Sequence, residues 1–355
     1  MAMKQKMYDA ILEILSREPS FFEARRQLQL KCPEILKSVN EKTLKSMQAQ
    51  YYVRRMRRNH HHHYSRDTRE KYYKLYKKAK LKNEKHVIVR LAYKNDISPC
   101  LLARIILEEY YWNDVAHDRE RGEGRGTLPA GFMTDCIRDI AKLPNPDLAE
   151  EIYETIVLDN FYGPAIDSIK KTCGVEYELF LKAYCKRENM CFIDEDQMRE
   201  EGYDKTPDIR LKIPVLIKNR VVNWIESKAS FGDPINHQQY MTDQFLPYKN
   251  RFGPGAVIYW FGYVEELGDN EETDILLLHT FPTSSEIVHL RDVYKKEEES
   301  IEKLKLEVLE HNANDNNSEL FEKKQDKLLT YVDLFFDSDD EIGAKKLENI
   351  NLDCT

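Results

Sequence analysis

The chain has 355 residues, 41% of them hydrophobic and 33% charged, which is enough for two to three domains of ordinary size. Its longest run without a charged residue is the 13 residues from Phe252 to Val264. A membrane-spanning helix needs roughly 20 apolar residues, so a span is excluded, and the opening MAMKQKMYDA has no apolar signal-peptide core, so secretion is not expected. Seven scattered cysteines without a CxxC pair predict reduced thiols and no structural zinc, in a protein of the nucleus and cytoplasm.

The net charge of −8 conceals an asymmetry. Residues 51–90 carry 14 Lys+Arg against 3 Asp+Glu, a local net of +11, while residues 295–355 carry 9 against 17, a net of −8. A local basic patch can bind a polyanion whatever the overall charge. The arginines Arg54, Arg55, Arg57 and Arg58 are the candidate phosphate contacts.

Taken in chain order, the first half reads as helical. Tyr8, Ile11, Leu12 and Ile14 begin an apolar stripe at helical spacing. Further helices are expected over about 21–30 and from Glu41 into the basic stretch, with the histidine run His60–His63 as a solvated linker. Residues 87–107 have a helix–turn–helix cadence, with Ser98 as N-cap and Pro99 at the first helical position. Such a pair suits DNA reading, and equally a packed helical hairpin. Residues 119–131 read as a linker, with helices after it over about 146–158 and 162–173.

Beyond Gly202 the period changes. Pro214–Ile217 and Val221–Ile225, separated by Lys218-Asn219-Arg220, predict a β-hairpin, and two more strands are expected over 256–263 and 275–281. The expected organisation is 1–118 helical, 119–173 linker and helices, 174–292 an α/β domain with a mixed sheet, and 293–355 an acidic mobile tail. The class is α+β.

The residues that carry chemistry lie on that hairpin. Thr206-Pro207-Asp208 precedes its first strand, and Glu226-Ser227-Lys228 ends its second. Side chains alternate along a strand, so Glu226 and Lys228 share a face and Asp208 comes beside them. Two carboxylates with a lysine suit metal-assisted phosphodiester cleavage. Mg²⁺, or Mn²⁺ in its place, takes a few carboxylate oxygens and keeps water for a substrate phosphate. Lysine would orient the water or offset transition-state charge. No P-loop, GxGxxG, HExxH or GxSxG motif is present, which leaves nucleotide hydrolysis, dinucleotide redox and serine hydrolysis without support. His237 is expected on a helix surface, and Trp224, Phe231 and Trp260 in the core.

This Pro-Asp…Glu-x-Lys arrangement resembles the PD-(D/E)xK, restriction-endonuclease-like nucleases. Gln244 and Tyr248, four apart, resemble the Gln-x-x-x-Tyr element of their RecB-like branch, although Pro247 between them removes a backbone donor. The resemblance implies a further acid from the preceding helix, for which Glu178 is favoured and Glu195 competes. Closer still, GYDKTPD at 202–208, WIESKASFGD at 224–233 and NRFGPGAVIYW at 250–260 resemble the codanin-interacting nuclease family. That likeness implies helix–turn–helix segments followed by a nuclease domain, and a codanin-like partner. The site is then Asp208, Glu226, Lys228 and Gln244 for catalysis, with metal on Asp208, Glu226 and Glu178. Two alternatives stay open: a nuclease fold kept as a scaffold for a protein partner, and a DNA-binding regulator.

Overall fold

The computed structural model describes residues 2–17, 21–116, 128, 130–268 and 274–314. The expected linker at 119–131 falls largely, and the tail beyond 314 wholly, outside the described residues. The chain divides into two compact units, Met1–Leu179 with Ser227–Gln238 and Tyr259–Asn270, and Phe180–Glu226 with Gln239–Ile258 and Glu271–Thr355.

The helices in chain order begin with α1 (Gln5–Arg17), α2 (Phe21–Lys31), α3 (Pro33–Ser38), α4 (Glu41–Tyr64) and α5 (Arg66–Lys80). There follow α6 (Val87–Lys94), α7 (Pro99–Tyr110), α8 (Phe132–Arg138), α9 (Pro146–Leu158) and α10 (Pro164–Arg187). A short strand β1 (Ala2–Met3) precedes them and pairs in parallel with β6 (Tyr263–Val264).

In the first unit, α5, α6, α7 and α9 enclose Tyr72, Ile88, Leu102, Ile106 and Leu148, while Tyr8, Ile11, Leu44, Met47, Phe231 and Val264 form a second core. The hairpin of α6 and α7 is present. Ser98 caps α7 by accepting from the Leu101 N–H at 3.4 Å, and Pro99 opens the helix. Buried Asp159 accepts from the Ser98 hydroxyl and the Cys100 N–H, and it also takes the N–H groups of Phe161 and Tyr162. Both faces of α7 are covered, with Leu102, Ala103, Ile105, Ile106 and Leu107 all at 2% exposure or less. It is a core helix, and those side chains have no access to a DNA groove.

The histidine run corrects the linker expectation: it is the last turn of α4. His63 is buried and its Nδ1 lies 2.9 Å from the Tyr72 hydroxyl, so a tertiary contact extends the helix past a weak local signal. The expected boundary at Gly174 falls inside α10, which runs on through it.

The second unit is built on a mixed sheet of β2 (Phe192–Asp194), β3 (Ile209–Ile217), β4 (Arg220–Lys228), β5 (Gly255–Tyr259) and β7 (Ile275–Leu278) in that order. An eighth strand, β8 (Ile287–His289), also pairs with β3. Helix α11 (Glu195–Glu200) precedes β3, α12 (Pro234–Tyr240) and α13 (Leu246–Phe252) follow β4, and α14 (Leu290–Asn314) follows β8. The β3–β4 hairpin is antiparallel, and its turn residues Lys218 and Asn219 both have positive φ, +50° and +62°. Two such residues match the right-handed twist of the flanking strands.

Trp224 is fully buried and donates from Nε1 to the Gly253 carbonyl at 2.9 Å. Its indole occupies the space where a side chain on Gly255 would begin, so the backbone of β5 approaches it closely. Gly253, at φ +83° and followed by Pro254, ends α13. Among the described residues no helix is long and apolar enough to cross a membrane.

Candidate active site

The hairpin register pairs Ile209 with Ile225, which brings the next residues outward, Asp208 and Glu226, opposite one another. The Asp208 N–H donates to Glu226 Oε2 at 3.2 Å. Glu226 is 5% exposed and Asp208 half-buried. A charge held at that depth must be compensated, so this carboxylate is placed where a cation or a donor set is worth most. Thr206 and Pro207 are buried, and the Thr206 hydroxyl donates to Glu195 Oε1 at 3.1 Å. Each residue of the Thr-Pro-Asp tripeptide thus has a role: an anchor, a rigid bend, and a backbone donor to Glu226 of β4.

Glu195 opens α11 behind a capping box formed by Asp194 and Gln197. Lys182, 2.8 Å from Asp194, holds the Asp194 carboxyl below its usual range, together with the backbone donors of the helix start. Arg199, one turn further, pairs with Glu195.

Tyr248 feels the charge of three carboxylates. Burial raises the affinity of its hydroxyl for the proton, and the charges of Glu226, Asp208 and Glu195, in that order, raise it further. The hydroxyl therefore stays protonated. Its ring packs edge-on against Trp224 at 5.4 Å. Pro247 does no damage, because the helical segment passes through a π-turn at Met241–Phe245 and α13 restarts with Pro247 in its first turn, where no backbone donor is needed.

Gln244 is half-buried in that π-turn. Lys228, half-buried at the end of β4, lies two residues from Glu226 and so on the same face of the strand. Glu178 is half-buried on α10, and Glu195, at the start of α11, is an acid whose charge acts on Tyr248 together with those of Asp208 and Glu226.

The four arginines divide. Arg54 is 2.8 Å from the fully buried carboxylate of Asp233, which also caps α12 through the N–H groups of Ile235 and Asn236. That makes Arg54 a structural partner rather than an open cation. Arg55 pairs with Asp96 at 2.6 Å, while Arg57 and Arg58 are exposed. His237 is buried rather than on the surface, with Nδ1 3.0 Å from the Tyr259 hydroxyl, and burial pushes its pKa down to about 4. It is a neutral core residue.

Among the described residues no group of three or more His, Cys, Asp and Glu side chains is placed to hold a metal ion. Asp208 and Glu226 are nonetheless a two-carboxylate, all-oxygen donor set, partly sunk from water, which is the kind that Mg²⁺ uses when it retains waters for a phosphate.

A family model described as "Protein of unknown function TPD sequence-motif" matches residues 144–281, which include Thr206-Pro207-Asp208. A Homo sapiens protein named CDAN1-interacting nuclease 1 is 39% identical over 286 residues, 80% of this chain and 97% of its own length. Its namesakes from Gallus gallus, 38% identical over 82% of this chain and 98% of theirs, and Danio rerio, 40% identical over 68% and 78%, are similar. No solved structure shows a significant match.

Proposed function

The chain belongs to the CDAN1-interacting nuclease 1 family, and we propose that it is a Mg²⁺-dependent nuclease that hydrolyses phosphodiester bonds at a PD-(D/E)xK site. The observation that carries this reading is the pairing of Asp208 with buried Glu226 across the hairpin. Asp208 and Glu226 would hold the metal, with Glu195, whose charge acts on Tyr248 as theirs do, as the further acid in place of Glu178. When bound, the ion supplies Lewis-acid polarisation of the phosphoryl oxygen and a more acidic water.

The chain's own groups do the rest. Lys228 brings an ammonium to the Glu226 face of β4, where it orients the attacking water and offsets charge on the five-coordinate phosphorus. The Gln244 amide donates to the substrate phosphate. Tyr248, kept protonated by burial and by the charges of Glu226, Asp208 and Glu195, brings a neutral hydroxyl to the field of these acids. Exposed Arg57 and Arg58 supply salt-sensitive attraction for the nucleic-acid backbone.

The relatives are named for an interaction with CDAN1. For this chain we propose a codanin-like protein partner and action in the nucleus and cytoplasm. The site is tested by isothermal titration of Mg²⁺ and Mn²⁺ into the wild type and an Asp208→Ala/Glu226→Ala double variant. Heat that disappears in the double variant is the expected result. Equal heats in both would remove the metal from these carboxylates and favour a scaffold role.

A further inference from the structure

Gln48, Tyr51, Tyr52 and Arg55 recur on α4 at intervals of three, four and seven, so they share one face. With Arg17 of α1 and Tyr93 of α6 they line a cavity of about 120 Å³ within the first unit. Gln48 is 4% exposed, and among the described residues its side-chain amide, which lines the cavity, makes no hydrogen bond. Its donors and acceptor are therefore available to whatever enters the cavity. The Tyr52 ring is fixed by stacking on Phe161 at 4.2 Å, while Tyr93 stands at the rim, 60% exposed. Two arginines face one acid, Asp96, which binds Arg55, and the pair that Arg17 makes with Glu13 is exposed and therefore weak.

We propose that this cavity is a second binding site, which takes one unpaired nucleotide of a single-stranded nucleic acid. The inference rests on the reading that the chain acts on nucleic acid, and adds which form of it is held. A cavity of about 150 Å³ holds a benzene ring whole, so this one, at about 120 Å³ and open at its mouth, takes one edge of a six-membered ring and leaves the rest at the rim beside Tyr93. The Gln48 amide has both donors and an acceptor to match the polar edge of a base. Tyrosine rings give the sequence-tolerant stacking that single-strand binders use. The phosphate goes to Arg17 and Arg55, and Arg58, one turn further along α4 and exposed, continues the cationic track. A paired base is excluded because its edge is occupied and its faces are stacked.

The test is fluorescence anisotropy of a labelled oligothymidine, and of a duplex of the same length, in EDTA so that nothing is cut. Wild type is compared with Gln48→Leu and Tyr93→Ala. Each substitution is expected to weaken single-strand binding about tenfold, with duplex binding unchanged, the loss of one stacked or recognised base being of that order. Thymidine monophosphate should compete and inorganic phosphate should not. Single-strand affinities within twofold of wild type in Tyr93→Ala, whose exposed side chain leaves folding unaffected, would overturn the proposal. Equal losses on both substrates, or displacement by inorganic phosphate alone, would also overturn it. The full-length Asp208→Asn chain separates the two readings: it should bind the oligonucleotide as wild type does while failing to cut.

Discussion

The Asp208 N–H bonds to Glu226 Oε2 at 3.2 Å, so the backbone of the Thr-Pro-Asp tripeptide is itself a ligand of the glutamate in the Glu-Ser-Lys tripeptide 18 residues later. The two halves of the motif form one object, and the antiparallel register of β3 and β4 is what joins them. A shift of one residue in that register would send Asp208 or Glu226 to the opposite face.

Mutation distinguishes the two candidate glutamates. Glu195→Gln is expected to lower cleavage by about 10- to 100-fold, the scale seen when groups supporting a metal site are altered. Glu178→Gln should stay within about twofold. Single-turnover rates of the two variants make the comparison. Equal losses would put both acids at the site, and loss in Glu178→Gln alone would reverse the assignment.

The arginines of α4 should separate in the same way. Arg54→Ala strands the Asp233 carboxylate, which is 0% exposed, and breaking such a buried pair costs about 3–5 kcal/mol. Arg57→Gln and Arg58→Gln should leave stability within about 0.5 kcal/mol. Each should instead reduce the slope of log affinity against log salt by about 0.9 if it meets a duplex phosphate. Urea unfolding and salt-dependent binding of one DNA fragment measure the two effects.

His237 predicts an acid-side loss of stability. Burial lowers its pKa from 6.5 to about 4 in the folded chain. The unfolded chain therefore takes up this proton first as pH falls, and the folded state loses ground between about pH 6.5 and pH 4, by about 3 kcal/mol in all. Above pH 6.5 the residue contributes no slope. His237→Gln should flatten this window in urea midpoints measured from pH 7 to 4.5, and an unchanged slope would contradict the assignment.

Gly255→Ala tests the close approach of β5 to the indole. The added methyl would lie 2.1 Å from Trp224 Cε2, so the sheet or the indole must move. A loss of about 1–3 kcal/mol in urea unfolding is expected. A smaller loss from Gly255→Ala in a Trp224→Leu background than in the wild type would confirm that the clash is with this ring.

Much of the frame was legible because its signals are local. Ser98 and Pro99 mark the start of α7, Pro146 that of α9, and Lys218-Asn219 the hairpin turn, each through backbone preferences that hold in any context. The trio of Asp208, Glu226 and Lys228 was legible because strand alternation is strict. What escaped depends on distant partners. Nothing near His63 announces Tyr72, nothing near Arg54 announces Asp233, and His237 looks like a surface residue until Tyr259 is beside it. The bond from the Thr206 hydroxyl to Glu195 also runs across a loop, beyond the reach of local spacing. The short strands β1, β6 and β8, two or three residues each, are too brief for a periodic pattern.

The most direct measurement is cleavage itself. Wild type, Asp208→Asn and Glu226→Gln are incubated with single-stranded and duplex DNA and RNA, in Mg²⁺, in Mn²⁺ and in EDTA. The account predicts product with wild type in metal and none in EDTA, with rates at least about 100-fold lower in either variant at unchanged unfolding midpoints. Cleavage by Asp208→Asn or Glu226→Gln at the wild-type rate would contradict it.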